Sequence, residues 1–466
     1  MTAERSNSPD LSGRFWVGVR SRREFAGKVV HRLSQHVRRW IRPPRVHGAV
    51  WPPVPGALRL GIEEEQAAVD AVRAVMRSRR LFRFHGIHSN PFEHSTVREL
   101  EKKFAVRTGA KHALAVSSGT GALVCGLAAL GIGPGDEVIV PGYTWIASAT
   151  AVLAVGAVPI LAEVDESLTL DPEDVRQKIS AYTRAIMPVH MRGAPCNMTA
   201  LATIASERGL KVLEDVAQAN GASYLGRPLG SIGDAGAFSF QFTKVMTCGE
   251  GGMLTTSDDV LDRRATMYHD ASAGSRMGLR KDQWLPGLNY RMSELHGAVA
   301  LVQLERIDEI VDTLRRRKRQ LTDLVADSLG GKGIRTRLLH DPAGEVAVAF
   351  IFYLPEQKQV DPVVRALCHD RVPATALYRG PDAPQSDLID YHVYSSWGPL
   401  MNRYCWSANG GPWRGHGRDV EYHPDMCPKT LNLLSRAVHI DIGVEFSERQ
   451  VDEIAASVRA AVARFA

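Results

Sequence analysis

The sequence predicts an α/β protein with a mostly parallel, seven-stranded sheet in a large domain, followed by a smaller α+β domain. Its 466 residues exceed what one hydrophobic core usually supports, so two domains are expected. Seven short apolar segments alternate with helix-like segments between residues 112 and 256, as in sheets that carry helices on both faces. We therefore expect a large domain at 56–310 and a small domain at 311–466, after an N-terminal extension at 1–55.

The individual elements follow from local patterns. Two charged amphipathic helices are predicted between Ile62 and Phe104, on either side of an irregular segment at 81–86. A long helical pattern begins near Ser293 and runs into the basic segment Arg315–Arg319, which we interpret as a solvated helix face. The predicted strands are His112–Val116, Glu137–Val140, Val158–Leu161, Ala185–Val189, Lys211–Glu214, Ala235–Ser239 and Gly252–Thr256.

Residues 138–162 carry no charge and are long enough to cross a bilayer. Pro141, Gly142, Gly156 and Pro159 divide this stretch into a strand, a helix and a second strand, so a buried strand-helix-strand unit explains it better. No apolar segment typical of a signal peptide follows the first charges. The sequence therefore disfavours a membrane partner.

The net charge of +6 belongs to the N-terminal extension. Residues 1–50 hold eleven Lys or Arg residues and three acidic ones, so the rest of the chain is nearly neutral, which disfavours nucleic acid as the main partner. An amphipathic helix is also predicted there; it can dock on the body, lie on an anionic membrane or contact nucleic acid, and docking or a loose tail is the simpler interpretation. Its apolar positions are Phe25, Val29, Leu33, Val37 and Ile41.

Two further features are an aromatic-rich segment and the pattern of cysteines. The segment 379–426 is rich in Trp, Tyr and His among glycines and prolines, which is typical of a loop that covers a pocket, builds a subunit interface or packs on itself. The six cysteines form no CxxC pair and no zinc-like cluster with histidine. Free thiols in the cytoplasm and the absence of a metal are therefore expected.

Lys244 is the main candidate for catalysis. It follows the predicted strand Ala235–Ser239 and precedes Gly249-Glu-Gly-Gly252, while Asp215 follows the neighbouring strand. A lysine for an aldehyde, a carboxylate for a pyridine nitrogen, an anion hole for a phosphate and a flat contact for a ring are what pyridoxal phosphate requires. A single lysine is far more often a solvated surface residue; the functional interpretation depends on all four candidates meeting at one edge of the sheet.

The phosphate candidate is Ser117–Gly121, between a strand and a helix-like segment. Free N–H groups and the helix dipole bind anions at such a helix start, although Ser, Thr and Gly also simply cap helices. Ser239 is a second phosphate candidate. Tyr143 and Trp145 follow the next strand and are candidates for the ring contact, with core packing as the alternative.

Asp215 can hold the pyridine nitrogen protonated, with a helix N-cap as the alternative role. Gln218, placed one helical turn further on, can reach the ring hydroxyl of the cofactor. Lys244 requires a lowered pKa to condense with the aldehyde and then to move a proton, and burial beside a cationic ring lowers the pKa of such an amine.

Together these segments resemble the DegT/StrS family of sugar and cyclitol aminotransferases, which have the aspartate aminotransferase fold, fold type I. The resemblance runs from about Ile62 to the C-terminus and leaves the extension at 1–55 outside. The segments that carry it are Ser118-Gly-Thr-Gly-Ala-Leu123, Gly133-Pro-Gly-Asp-Glu-Val-Ile-Val-Pro141, Glu214-Asp-Val-Ala-Gln-Ala219, Phe238-Ser-Phe240 to Lys244, Gly249–Gly252 and Asn289-Tyr-Arg-Met-Ser-Glu294.

The resemblance implies a role for each candidate. Lys244 matches the Schiff-base lysine, and Asn289 matches an asparagine that reaches the phosphate in the other subunit's site, so a homodimer is implied. The remaining matches are Gly119, Thr120 and Ser239 for the phosphate, Trp145 for the ring, Asp215 for the pyridine nitrogen and Gln218 for the ring hydroxyl.

The resemblance implies a pyridoxal phosphate-dependent aminotransferase that moves an amino group from glutamate or glutamine to a keto sugar or keto cyclitol, in sugar or antibiotic biosynthesis. Some relatives are dehydratases with histidine in place of the lysine, so Lys244 favours transamination. A lyase, a dehydratase or an aminohydroxybenzoate-type synthase is the alternative, and a non-catalytic regulator that binds the cofactor is a third. The segment 379–426 departs from the family pattern, which leaves the acceptor open.

Overall fold

The computed structural model describes residues 62–84, 95–380, 391–405 and 410–466. The chain divides into two compact units, Met1–Trp51 and Pro52–Ala466, and all described residues belong to the second. The predicted extension at 1–55 with its amphipathic helix lies outside the described residues. So do positions 85 and 86 of the irregular segment and Trp406 of the aromatic-rich segment.

The described residues form fourteen α-helices, numbered here in chain order. They are α1 (Ile62–Ser78), α2 (Thr96–Thr108), α3 (Gly119–Leu130), α4 (Ala147–Ala154), α5 (Pro172–Lys178), α6 (Met198–Arg208), α7 (Asp259–His269), α8 (Ala273–Arg276), α9 (Glu294–Leu304), α10 (Ile307–Gly330), α11 (Val360–His369), α12 (Gly398–Met401), α13 (Pro428–Ser435) and α14 (Glu448–Phe465).

Thirteen strands accompany these helices in the same ranges. They are β1 (His112–Val116), β2 (Glu137–Pro141), β3 (Val158–Ala162), β4 (Thr183–Ile186), β5 (Lys211–Asp215), β6 (Ser223–Tyr224), β7 (Arg227–Pro228), β8 (Ala235–Ser239), β9 (Gly252–Thr256), β10 (Arg335–Thr336), β11 (Ala349–Tyr353), β12 (Ala374–Ala376) and β13 (Ala437–Asp441).

The large sheet has seven strands in the order β1-β9-β8-β5-β4-β2-β3. Strands β2, β3, β4, β5 and β8 pair in parallel, and β9 runs antiparallel to both of its neighbours. All five residues of β2, β3 and β8 are buried, which explains their largely apolar sequence, since strands with helices on both faces have no solvent-facing side. The predicted mostly parallel, seven-stranded sheet is confirmed.

The fourth strand ends earlier than its sequence predicts. It spans Thr183–Ile186 rather than Ala185–Val189. Met187 still donates its N–H to Ile139 O at 2.9 Å, but Pro188 has no N–H to continue the ladder. The apolar residues Met187 and Val189 therefore belong to a buried connection that leads toward the edge where the strand ends.

A second, antiparallel sheet has the order β10-β11-β13-β12. Helices α10 and α14 pack against each other, and α11 packs on α14 and on β12. Helices and antiparallel strands of this kind match the α+β arrangement expected after residue 310. The exact division into domains at 56–310 and 311–466 stays a prediction.

The helical pattern that begins at Ser293 forms two helices, α9 and α10, rather than one. Helix α9 packs on α1 and α2, whereas α10 packs on α14, so the break at 305–306 lets successive helices reach different partners. The interpretation of Arg315–Arg319 as a solvated face is wrong for Lys318. Its side chain is buried and its amine lies 2.6 Å from a carboxylate oxygen of Glu345.

Residues 391–405 and 410–426 form hydrogen bonds to the two ends of strand β2. Near the C-terminal end of β2, Thr144 N donates to His392 O at 2.9 Å, and Tyr394 N donates to Gly142 O at 3.0 Å. At the opposite end, the buried carboxylate of Glu137 accepts hydrogen bonds from His416 and Arg418. The described residues 391–405 and 410–426 therefore contact the large sheet at both ends of β2. Across the described ranges, no helix is both long and apolar enough to cross a membrane.

Candidate active site

The predicted site residues collect at one edge of the large sheet, where its parallel strands end. Asp215 is the last residue of β5 and Ser239 is the last residue of β8, and these strands are neighbours, with Asp215 paired to Ala237. Gly119 follows β1 and Trp145 follows β2 at the same edge. This is the edge at which open α/β sheets bind ligands.

The N-terminus of helix α3 forms a close-packed cradle with Ser239. Ser118 is the N-cap, and its Oγ accepts a hydrogen bond from Gly121 N at 2.9 Å. A Cβ atom added at Gly119 would lie 2.6 Å from Ser239 Cβ, so only glycine allows the helix start to approach β8 this closely. Thr120, next in the helix, is exposed. The start of α3 therefore lies directly against the end of β8 at Ser239, and the backbone N–H groups of such a helix start suit an anion.

Trp145 is the more available of the two aromatic candidates. Its side chain is 45% exposed, whereas Tyr143 is fully buried. The indole ring centroid lies 5.1 Å from the ring of His392 and 5.9 Å from the ring of Tyr391. The aromatic-rich segment therefore reaches the candidate site and packs beside its predicted ring contact.

Asp215 is buried and held by two donors. Ser148 Oγ donates to its Oδ2 at 2.8 Å, and Ala217 N donates to its Oδ1 at 3.1 Å. Burial raises the pKa of Asp215, and these two hydrogen bonds together with the charge of Lys244 oppose that rise. The alternative role as a helix N-cap is wrong, because the fully described segment that follows Asp215 forms turns and a short hairpin, with no helix before β8.

Lys244 lies in the connection between β8 and β9, close enough to Asp215 for the two charges to interact. The residue as a whole is partly exposed, but its amine is enclosed by protein. Loss of hydration lowers the pKa of Lys244; Asp215 opposes this shift, and Arg192 adds to it. A larger neutral fraction of the amine results at a given pH, as a nucleophilic lysine requires.

Gln218 lies in a turn, not in a helix as its predicted spacing assumed. Its Oε1 accepts a hydrogen bond from Arg192 N at 3.0 Å. The amide of Gln218 is thereby oriented with its oxygen toward the connection after β4. The predicted contact between Gln218 and a ring hydroxyl stays a prediction.

Asn289 is exposed, next to the chain that flanks the phosphate cradle. The backbone oxygen of its neighbour Tyr290 accepts a hydrogen bond from Ser117 N at 2.7 Å, and Arg291 forms a β-bridge with Val116. The backbone of 289–291 therefore supports the cradle of its own chain, while the side chain of Asn289 is accessible from outside. Its predicted contribution to a second subunit stays a prediction.

Three further residues of this edge were missed by sequence reasoning: Ser148, Arg192 and His392. Ser148 is the second residue of helix α4, which follows Trp145, and Arg192 lies in the connection after β4. The position of both residues after a strand end was therefore a usable signal. His392 gave no such signal, because it lies in a segment without periodicity.

The cofactor predicted from the sequence fits these residues. A phosphate suits the cradle of α3 and Ser239, and a buried acid whose pKa is raised suits a cationic nitrogen, since an opposite charge would offset its lost hydration. A desolvated amine stands nearby in Lys244. Among the described ranges, no three His, Cys, Asp or Glu side chains are clustered suitably to hold a metal ion.

Comparisons with known proteins agree with the interpretation of this site. A sequence model of the DegT/DnrJ/EryC1/StrS aminotransferase family matches residues 68–391. Over 214 residues the chain is 46% identical to a GDP-perosamine synthase from Caulobacter vibrioides, covering 45% of this chain and 57% of that one. Over 281 residues it is 39% identical to an L-glutamine:2-deoxy-scyllo-inosose aminotransferase from Streptoalloteichus tenebrarius, covering 58% of this chain and 64% of that one.

The fold also matches solved structures. The crystal structure of 3-amino-5-hydroxybenzoic acid synthase superposes with a TM-score of 0.70 and 28% identity, covering 89% of this chain and 100% of that one. By contrast, the sequence matches span less than two thirds of the length of the two relatives named above.

Proposed function

The chain belongs to the DegT/DnrJ/EryC1/StrS aminotransferase family, and from that premise we propose that it transfers an amino group from L-glutamine or L-glutamate to the ketone of a sugar or cyclitol. The names of two relatives, one a GDP-perosamine synthase and one a cyclitol aminotransferase that uses L-glutamine, support this substrate class. The observation that carries the proposal is the desolvated amine of Lys244 beside the buried carboxylate of Asp215.

We propose pyridoxal phosphate as the cofactor. Gly119, Thr120 and Ser239 would hold its phosphate, and Trp145 would stack on its ring. Asp215 would face the pyridine nitrogen and Gln218 the ring hydroxyl. When bound, the cofactor draws electrons away from the substrate carbon that carries the amine.

Lys244 would transfer the proton during the reaction. Its lowered pKa leaves a larger neutral fraction of the amine at a given pH, so Nζ would take a proton from the substrate carbon and return it elsewhere. Enclosure by protein keeps bulk water from competing for that proton. Asp215 would stay ionised through the hydroxyl of Ser148 and the N–H of Ala217, and so hold a proton on the ring nitrogen.

The proposal is tested with Lys244→Ala, loaded with pyridoxal phosphate and mixed with L-glutamine or L-glutamate. Wild type is expected to convert the bound cofactor to its amine form and release the 2-oxo acid, and the variant to lose at least about a thousandfold in that rate. Lys211→Ala, which removes an exposed lysine at the opposite edge of the sheet, is the matched control. A Lys244→Ala protein that completes both half-reactions would refute the proposal.

The second candidate is a synthase or lyase, favoured by the similarity to 3-amino-5-hydroxybenzoic acid synthase. Product analysis separates the two. Release of a 2-oxo acid in equal amount to the aminated product supports transfer, whereas loss of water or aromatisation without amino transfer supports the second candidate.

We further propose that the active unit is a homodimer in which Asn289 enters the partner's site, and that the enzyme acts in the cytoplasm. The exposed position of Asn289 beside the phosphate cradle supports the first point. Six cysteines that all carry free thiols suit a reducing compartment. Deletion of residues 1–50 with no loss of turnover would count against a regulatory role that depends on the basic extension.

A further inference from the structure

A cavity of about 250 Å³ lies between helix α10, strand β11 and the chain that leads to β11 from β10. None of the predicted site residues lines it. Its charged lining residues are four cations and two acids: Arg315, Lys318, Arg319, Arg337, Asp323 and Glu345. The wall of the cavity therefore carries two more positive charges than negative ones.

Two of these cations are buried and share one carboxylate. Lys318 Nζ lies 2.7 and 2.6 Å from the two carboxylate oxygens of Glu345, and Arg337 Nη2 lies 3.8 Å from one of them. Lys318 is 9% exposed and Arg337 is 5% exposed. One carboxylate balances only one of the two cations, and a buried charge without a counter-charge is costly. An anion in the cavity would offset the second charge.

Arg337 is held in one orientation and keeps a donor that is not used. Its Nη1 donates to Met191 O at 3.2 Å, and its Nη2 donates to Arg192 O at 3.3 Å. Within the described residues, its buried Nε has no hydrogen-bond partner. Buried donors of this kind are nearly always paired in folded proteins. Because the two backbone oxygens already fix the guanidinium, binding an anion would cost little further ordering of this side chain.

The basic segment Arg315–Arg319 supplies the remaining cations. Its spacings of three and four residues place Arg315, Lys318 and Arg319 on one face of α10, and all three line the cavity. Arg315 Nε donates to Glu345 O at 2.7 Å, which holds this face of the helix against the segment 337–345. Arg319 and Asp323 are exposed, so the cavity reaches the surface beside them and an ion can enter from solvent.

We propose that this cavity binds a dianionic oxyanion of the phosphate class, held by Lys318, Arg319 and Arg337. The two excess positive charges match the charge of a phosphate group near neutral pH. Guanidinium groups donate in a planar fork that suits phosphate oxygens, and the lysine adds a point charge. The same chemistry is offered by free phosphate and by the phosphoryl end of a small ester.

The first test is a calorimetric titration of cofactor-loaded protein with inorganic phosphate at constant ionic strength. Arg319→Gln is expected to bind phosphate at least about fivefold more weakly than wild type, because it loses one of the three cations. Arg316→Gln is the matched control, since Arg316 is an exposed residue of the same helix outside the cavity lining. It should match wild type.

Titration with glucose 1-phosphate distinguishes the two sources of the anion. Tighter binding than inorganic phosphate supports an ester as the ligand, and weaker binding supports free phosphate. Wild type that binds neither anion, or Arg319→Gln that binds phosphate as tightly as wild type, would overturn the inference.

The second test shows whether the anion reaches the buried amine of Lys318. Burial lowers the pKa of Lys318 to about 8, Glu345 opposes this shift and Arg337 adds to it. The lining contributes three further charged groups, Arg315, Arg319 and Asp323. A dianion beside Lys318 would raise its pKa, so binding near pH 8 should take up as much as about half a proton per anion. Calorimetry with sulfate, in buffers of different ionisation enthalpy, measures this uptake.

Sulfate is the probe because it does not itself titrate near this pH. Lys318→Met should bind sulfate more weakly and without proton uptake, and the wild-type measurement is decisive even if that variant does not fold. Sulfate binding to wild type without proton uptake would place the ion on the exposed arginine alone and contradict a site built around Lys318.

Discussion

Three side chains form a directed chain of hydrogen bonds that ends at Asp215. Thr144 Oγ1 lies 2.8 Å from Ser148 Oγ, and Ser148 Oγ lies 2.8 Å from Asp215 Oδ2. An ionised carboxylate can only accept, so Ser148 must donate to it and accept from Thr144. Each hydroxyl polarises the next, which strengthens the bond to Asp215. The chain of hydrogen bonds therefore favours the ionised form of Asp215 and opposes the rise in its pKa that burial causes.

Replacing Ser148 by alanine removes this donor. Because the lost hydrogen bond stabilised the carboxylate, the pKa of Asp215 should rise further. A hydrogen bond to a charged group is worth about 1.5 kcal/mol or more, and one pKa unit is about 1.4 kcal/mol. The acid limb of the pH profile for cofactor binding should therefore move about one unit toward higher pH.

Thr150→Ala is the control for this prediction, since Thr150 lies two residues further along α4 and bonds to a backbone oxygen instead. A Ser148→Ala profile that coincides with that of wild type would show that Asp215 does not depend on the hydroxyl.

Gly119 permits the contact between the start of α3 and the end of β8. In Gly119→Ala the new Cβ would meet Ser239 Cβ at 2.6 Å, so the helix start must shift. We expect a loss of about 1–3 kcal/mol in the free energy of unfolding, together with weaker binding of inorganic phosphate and cofactor. Gly133→Ala, whose nearest contact would be at 3.8 Å, should change neither. Urea unfolding and equilibrium dialysis provide the measurements.

At the scale of elements, the strands could be predicted because each is a short apolar segment. The position of Lys244, Asp215, Trp145 and Gly119 at one edge followed from strand direction alone. The break between α9 and α10 could not be predicted, because both helices are amphipathic and the break reflects different packing partners. Lys318 was misjudged for a similar reason: its partner Glu345 lies 27 positions away, and only the packing of α10 brings them together.

The connection 410–426 is held to the start of β2 by hydrogen bonds to the carboxylate of Glu137. Glu137 is fully buried and accepts from His416 Nε2 at 2.9 Å, from Arg418 Nε at 2.5 Å and from the hydroxyl of Ser180. Burial alone would raise its pKa, but the hydrogen bonds from Arg418, Ser180 and His416 lower the pKa below its ordinary value. Glu137 therefore stabilises the fold as a carboxylate.

Glu137→Gln should lower the free energy of unfolding by about 3 kcal/mol at pH 7, because Arg418, His416 and Ser180 lose the carboxylate that accepts their hydrogen bonds. A carboxyl whose folded-state pKa is depressed contributes stability above its ordinary pKa and loses it as pH falls through the folded value. The difference between variant and wild type should thus shrink below about pH 4.5.

Urea unfolding across pH 3–7 checks this prediction, and Glu421→Gln, an exposed acid in the same connection, should match wild type throughout. A difference for Glu137→Gln that is equally large at pH 3 and pH 7 would contradict the ionic role of Glu137.

At the scale of the whole molecule, the position of Asn289 predicts that two chains share each site. Asn289→Ala is expected to weaken cofactor binding about tenfold, and Lys244→Ala to abolish turnover. In a mixed dimer of these two variants, one site combines both changes and the other has neither. If Asn289 acts on the partner's site, mixing the two inactive or weakened proteins should restore turnover at limiting cofactor.

Co-expression with two different affinity tags isolates the mixed dimer for this measurement. Lys244→Ala mixed with itself is the control and should stay inactive. A mixed dimer with no more activity than Asn289→Ala alone would place Asn289 in its own chain's site.

The reversed direction of β9 determines how Lys244 is held. A strand that is followed by a parallel strand needs a crossover connection, which returns the chain to the opposite edge of the sheet before the next strand begins. Strand β9 instead begins at the edge where β8 ends, so the segment 240–251 leaves and re-enters the sheet on the same side. The segment that carries the reactive lysine is thus a short loop anchored at both ends beside Asp215. It closes over a small sequence separation, whereas Trp145 and Asp215 depend on long-range strand pairing.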